Sequence, residues 1–451
     1  MKTTGLLVAA AVLLALTGAL YWSDHHKPSE TTPSSSSADA TPPAPKILTL
    51  KDADISAIAI KKKGADETEL AKDASGKWQI TAPKPLAADQ DAVTSVVSSV
   101  SSLNSERLVD DKPSDVKQFG LAAPELEVDV TTKDKSQKLL IGDSTPTGSA
   151  VFAKLDGDPR VFTIGTYTKT SLDKTSADLR DKRLLTADFD KISQIELLAK
   201  KQDITFARDK DAWQILKPKP LRADNSAVED VSRKLKDAKM DTGAAASGEK
   251  KTAAAFASGT VVATARITGA SGTQELQIRK NKDDYYAKSS AVAGIYKVPA
   301  DLGTGLDKSL EDFRNKKLFD FGFTDITKLE VHDGAKSWYL SKGGQDWWLD
   351  GKKMDSIGVE TLVDKVRELS ATKFPDAGFA APTIEITVTS QEGKRTEKLS
   401  IAKSGESYIA KRENEPALYQ LDATTVSDLQ KSAADIKPLP EAKPAAPPTK
   451  K

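Results

Sequence analysis

Cysteine is absent from the 451 residues. Disulfides, thiolate metal sites, iron–sulfur clusters and cysteine nucleophiles are therefore excluded together. Three histidines remain: His25, His26 and His332. The first two lie beside an apolar run and a Pro/Ser-rich stretch and read as solvated linker residues. His332 by itself cannot build a multi-histidine metal site. Ser-x-x-Lys begins at Ser114, Ser171, Ser247, Ser370 and Ser400. In a chain so rich in both residues that is chance frequency, and no Lys-Thr-Gly or Ser-Asp-Asn accompanies it. A Ser-His-Asp triad would have to use His332 or a linker histidine. Asp110-Asp111 and Asp283-Asp284 read as solvated turn residues, because pairs carry little information among 65 acidic residues. The segment from Gly142 to Gly148 is glycine-flanked enough to cradle an anion, but reads more simply as a connection between strands. Gly303-x-Gly305 lacks the third glycine and the preceding strand of a dinucleotide site, and no P-loop or EF-hand loop is present. The expectation is no catalytic residue, no metal ligand set, no cofactor, and a protein that is not an enzyme.

What remains are side chains that recur. Trp78, Trp213 and Trp347 could serve as stacking platforms, but each sits in an apolar strand-like segment, which favours core packing. Arg180 and Arg314 recur 134 residues apart and are the candidate binding residues; the bland alternative is a structural ion pair or helix-end contact.

The elements that hold these residues repeat. Trp78 is followed by Pro83-Lys84-Pro85-Leu86-Ala87-Ala88-Asp89, and Trp213 by Pro218-Lys219-Pro220-Leu221-Arg222-Ala223-Asp224, at a constant offset of 135. A third version, Trp347-Trp348 then Asp355, has lost the Pro-x-Pro and shortened the loop. After each aspartate comes one helical stripe. Its members are Val93, Val96, Val97, Val100 and Leu103 in the first copy, and Val228, Val231 and Leu235 in the second. Val359, Leu362, Val363, Val366 and Leu369 form it in the third. Asp89 and Asp224 are placed as N-caps. Strand-like segments open at Ile55, Ile192 and Ile326, and alternating segments follow each helix. Arg180 and Arg314 lie in matching closing segments, Leu179–Leu184 and Phe313–Leu318. The pattern predicts an α+β protein of three tandem diverged repeats. Each is a mainly antiparallel sheet with one main amphipathic helix and a short closing helix.

The Trp-x-Ile…Pro-x-Pro-Leu-x-Ala-Asp stretch, with Phe119-Gly120-Leu121-Ala122-Ala123-Pro124 and its echo Gly378-Phe379-Ala380-Ala381-Pro382, resembles the bacterial domain of unknown function 4340 family. The resemblance covers Lys46 to Pro438 and departs in the third copy, where Pro-x-Pro is missing. It implies an N-terminal membrane anchor and, through gene context, a link to ABC exporters of the gliding-motility type. It supplies no catalytic residues.

Gly5 to Trp22 contains no charge, follows Lys2, and ends in Tyr21 and Trp22. It reads as a cleaved signal or, preferentially, as a retained single-pass anchor with the body outside the cytoplasm. Residues 23–46 are a Pro/Ser-rich tether and 438–451 a Pro/Ala/Lys tail. Repeats are placed at 47–187, 188–320 and 321–437. A formal charge of +1 argues against nucleic acid as a partner. The expected role is an inner-membrane-tethered, periplasmic scaffold whose partners are envelope membrane proteins, ABC exporter components among them. The alternative is a periplasmic ligand- or glycan-binding module without catalysis.

Overall fold

The computed structural model describes residues 45–440 except 134, 211, 242–248 and 324. The anchor, nearly all of the tether and residues 441–451 of the tail lie outside the described residues. Among the described residues no helix is long and apolar enough to cross a membrane. The chain divides into two compact units, Met1–Arg180 and Asp181–Lys451.

The first unit holds one antiparallel sheet of nine strands. The chain runs β1 (Ile55–Lys62), β2 (Thr68–Lys72), β3 (Trp78–Ala82) and β4 (Leu86–Ala87), then helix α1 (Gln90–Ser101). After β5 (Arg107–Asp110) it runs β6 (Leu126–Thr132), β7 (Ser136–Ser144), β8 (Ala150–Leu155) and β9 (Val161–Gly165), then α2 (Thr166–Leu172) and α3 (Ser176–Leu179). Strand order is β4-β3-β2-β1-β6-β7-β8-β9-β5. Each half is thus a four-stranded meander followed by a helix, and the first strands of the two meanders pair at the sheet centre.

The second unit repeats that plan twice. Its first sheet comprises β10 (Ile192–Ala199), β11 (Gln202–Asp209), β12 (Ala212–Lys217), β13 (Leu221–Arg222), β14 (Thr260–Gly269), β15 (Gly272–Asn281), β16 (Asp284–Ser289) and β17 (Ile295–Val298). Its helices are α4 (Asn225–Lys236), an added α5 (Glu249–Ser258) that the hydrophobic pattern did not announce, and α6 (Ala300–Leu306). Its second sheet comprises β18 (Ile326–Asp333), β19 (Lys336–Gly343), β20 (Asp346–Leu349), β21 (Lys352–Lys353), β22 (Ile384–Ser390), β23 (Arg395–Ser404), β24 (Ser407–Arg412) and β25 (Leu418–Leu421). Helices α7 (Ser356–Arg367) and α8 (Ala423–Ala434) go with it. Both sheets order their eight strands as the first does, without the added edge strand. The fold is therefore α+β with three antiparallel sheets, as the repeat pattern predicts. The closing helix is short in two copies only: α2 and α6 have 7 residues each, α8 has 12.

Physical details explain the sequence pattern. Ile55, Ile58 and Ile60 are all buried although their spacing breaks a period of two. A register shift between Ile55 and Ala57 supplies the extra residue, and the same shift recurs at Ile192/Gln194 and Ile326/Lys328. Asp89 caps α1 by accepting from the N–H groups of Asp91 and Ala92; Asp224 accepts from Ala227, and Asp355 from Ile357 and Gly358. Each buried stripe faces its sheet. In the first two copies the connection between third and fourth strands carries a cis proline, Pro83 or Pro218. In the third, Asp350 and Gly351 both take positive φ (49° and 75°), closing a two-residue hairpin of the type that Asp-Gly favours. That turn does in two residues what Pro-x-Pro does with a longer loop.

The segments read as closing the repeats do two jobs. In the second unit the Phe313 carbonyl accepts from Asp224 N–H, and Asn315 N–H donates to Arg222. Three residues on, Leu318 N–H donates to Leu369, and Ala371 N–H to Lys316. Phe313–Leu318 thus finishes one repeat and opens the next. At the chain's end, Lys437 and Leu439 bond to Asp355 and Lys353 in the same way. One continuous apolar core runs through both sheets of this unit, and the first unit has its own.

Candidate functional site

The two candidate arginines occupy equivalent places, each bridging to the residue before a helix cap: Ala88 with Arg180 and Ala223 with Arg314. The third copy puts Pro438 there, opposite Met354. Arg314 is buried, at 7% exposure. Its guanidinium lies 3.6 Å from the ring centroid of Phe374 and 3.4 Å from Glu311. The contact with Phe374 ties the second repeat to the third. Arg180 is half-buried in the first unit.

The tryptophans lie in the cores: Trp78, Trp213 and Trp347 are at most 5% exposed. Each carries a cation over its ring, Lys72 at 5.1 Å, Arg208 at 4.9 Å and Lys342 at 5.5 Å. The cation always stands directly opposite its tryptophan across a strand pair. This threefold signature escaped the sequence reading. The signal for it was a basic residue five or six positions before each tryptophan. Trp213 Nε1 donates to Glu229, whereas Trp347 Nε1 is buried without a hydrogen-bond partner.

The glycine-rich candidate loop is held by its neighbours. A side chain at Gly142 would stand 2.2 Å from the Phe119 carbonyl, and one at Gly120 would stand 2.4 Å from Asp143 Cγ. The Phe119–Pro124 motif therefore packs its backbone against this segment, which makes it an architectural device. Asp284 pairs with Lys297 at 2.8 Å, and Asp110 accepts from the Lys112 N–H. No group of three or more His, Cys, Asp or Glu side chains suited to a metal occurs among the described residues.

The face of each sheet opposite its main helix is polar, and on the second sheet α5 covers part of it, with Phe256 against Arg279. On the first, Lys138 lies 3.6 Å from Glu127 and 3.3 Å from Asp129; on the second, Arg266 lies 3.6 Å from Glu196 and 2.7 Å from Glu275. Arg266 is held further protonated than an ordinary arginine, first by its hydrogen bond to Glu275. On the third sheet the equivalent row reads Tyr339, Glu330, Thr387, Lys398. Threonine replaces the central charge, and Tyr339 is 52% exposed. A groove of about 830 Å³ opens here, lined by Lys328, Glu330, His332, Thr387, Lys398 and Lys411 among others. His332 Nδ1 is 2.8 Å from Ser337 Oγ, and its ring stands edge-on to Tyr339. This is the candidate site: a shallow polar surface with one exposed aromatic. Sequence reading set His332 aside as a lone residue and had no means of placing it beside Tyr339 and Lys398.

Family comparison agrees with the repeat. The profile described as Domain of unknown function (DUF4340) matches residues 78–257 and 213–383. The two matches begin at Trp78 and Trp213, one repeat period apart, and together they span more than half of the chain. The chain belongs to this family. No curated protein matches it. Among solved structures, a DnaN sliding clamp (DNA polymerase III subunit beta) from Pseudomonas aeruginosa, bound to griselimycin, is 8% identical. That comparison covers 83% of this chain and 92% of the clamp at a TM-score of 0.13, a likeness too slight to carry an argument.

Proposed function

We propose that this protein is a non-catalytic, membrane-tethered scaffold that binds an envelope membrane protein on the extracytoplasmic side, with components of an ABC-type export complex as the leading partners. The observation that carries the reading is the third sheet's helix-free face, where Thr387 takes the place of the central charge of the other two sheets, Lys398 pairs instead with Glu413 at 3.5 Å, and Tyr339 stands exposed. An exposed aromatic amid polar side chains suits a protein interface, in which a few aromatic anchors carry most of the energy. The repeated side chains with chemical potential are already engaged in packing, as Arg314 and the tryptophans illustrate. An N-terminal anchor and a Pro/Ser-rich tether would raise the effective concentration of this face near membrane partners.

The test is co-purification of the tagged full chain from detergent-solubilised membranes, beside complementation of a deletion strain. A membrane protein should be recovered with the chain and lost with Tyr339→Ala. Ser171→Ala should complement fully, while an exported form lacking residues 1–22 should not. If the anchor-free form complements and no membrane protein is recovered with the full chain, the scaffold reading fails; partners kept by Tyr339→Ala would remove this face from it. The groove lined by His332, Thr387 and Lys398 favours a second reading, a ligand- or glycan-binding module; loss of saccharide binding with His332→Ala, without any protein partner, would select it.

A further inference from the structure

We propose that copies of this chain associate head to tail, the basic edge that ends the third repeat receiving the acidic hairpin of the first repeat of another copy. This goes beyond the scaffold reading and does not depend on it. The template is the junction between the second and third repeats, inside one unit. There the edge strand β13 presents Arg222 to the β24–β25 hairpin, 413–417, across a cavity of about 350 Å³. Arg222 Nε lies 3.7 Å from Glu415, and its Nη2 bonds Asp320. Gln214 pairs with Arg222 across the strands, and Trp348 pairs in the same register with Lys353. Lys353 therefore stands where Arg222 stands, one repeat later.

Charge along the chain matches this geometry. The three edge strands read Leu86-Ala87, Leu221-Arg222 and Lys352-Lys353; the three hairpins read Asp156-Gly157-Asp158-Pro159-Arg160, Ser290-Ala291-Val292-Ala293-Gly294 and Glu413-Asn414-Glu415-Pro416-Ala417. One edge and one hairpin are uncharged, and Arg222 meets Glu415. What is left over is a basic edge in the last repeat and an acidic hairpin in the first, with Asp158-Pro159 in the place of Glu415-Pro416. Trp348, 38% exposed beside Lys353, adds apolar area to the edge. Lys353 is 2.8 Å from Asp346, and Arg160 bonds Asp158, so association exchanges these local pairs for new ones. A heterologous contact of this kind builds rings or open chains of subunits.

The absence of native cysteine gives a clean background for the test. Full-length Lys353→Cys and Asp158→Cys proteins, purified separately and mixed with a bis-maleimide whose spacer is about as long as an Arg–Glu contact, should cross-link to each other and not to themselves. An Arg222→Cys/Glu415→Cys chain, whose two thiols the same bis-maleimide should bridge within one molecule, reports that the reagent can capture this geometry. Sedimentation of the unaltered full chain is the independent readout. Its mass should rise with concentration, and fall in high salt and with Lys353→Glu. A chain that sediments as a monomer throughout, or a Lys353→Cys protein that cross-links to itself, overturns the proposal.

Discussion

The second and third repeats share a strand order yet solve the same packing problem with different chemistry. In the second, Gln274 accepts from Thr186 N–H at 2.9 Å and donates to its hydroxyl at 3.1 Å, and Ser289 Oγ donates to the Leu184 carbonyl. The same strand positions in the third hold Glu397, which accepts from Asp320 N–H at 3.1 Å, and Arg412, which donates to Glu397 at 2.9 Å. Register fixes the equivalence: Gln274 stands opposite Ile267 as Glu397 does opposite Val388, and Ser289 opposite Leu276 as Arg412 does opposite Leu399. A neutral trio has become an ionic network that also takes in Arg395, Glu415 and, from the neighbouring repeat, Arg222. A fold can therefore keep its backbone while exchanging small hydrogen bonds for buried charge, provided every charge finds partners.

The largest test of that contrast removes one member from each. Glu397→Leu removes one of the two carboxylates that Arg412 and Arg395 share, Asp320 being the other, and should cost about 3 kcal/mol. Gln274→Leu should cost only about 1–2 kcal/mol, as expected for losing neutral hydrogen bonds. Equal shifts in denaturation midpoint would mean that the network is no more demanding than its neutral counterpart.

A smaller contrast separates the core tryptophans. Trp213→Phe breaks the bond to Glu229, whereas Trp347→Phe deletes an N–H that already lacks a partner. Both substitutions shrink the core by similar volume, so the first should be the more destabilising by about 1 kcal/mol. Urea titrations giving the reverse order would place a hydrogen bond on Trp347.

The finest effect lies in pH. Burial, followed by the hydrogen bond to Glu415, pushes the Tyr419 phenol up to about 12. Its folded pKa exceeds the unfolded value near 10, so the native state binds more protons between those values. The stabilisation is complete below pH 10 and is lost as pH rises from there towards 12. Tyr419→Phe should flatten stability over that window. Tyr296 stands at the same register position and donates to the Ala293 carbonyl, so Tyr296→Phe serves as the comparison. An unchanged slope in Tyr419→Phe would show that the phenol is not the titrating group.

The sequence alone determined the period, the caps and the helix stripes. These depend on neighbours a few residues apart, and local sterics leave few ways to satisfy them. It also determined the bulge, since Ile55, Ile58 and Ile60 keep one inward face only if a residue is inserted between the first two. Tertiary structure decided the rest. Strand order joins β1 to β6 across some sixty residues, and no local pattern encodes that choice. The burial of Arg314 depends on Phe374, which belongs to the next repeat. The groove beside Tyr339 exists because four strands place His332, Thr387, Lys398 and Lys411 on one face. Such sites are set by pairing between segments far apart in the chain, where the free energy lies in contacts that the sequence lists but does not connect.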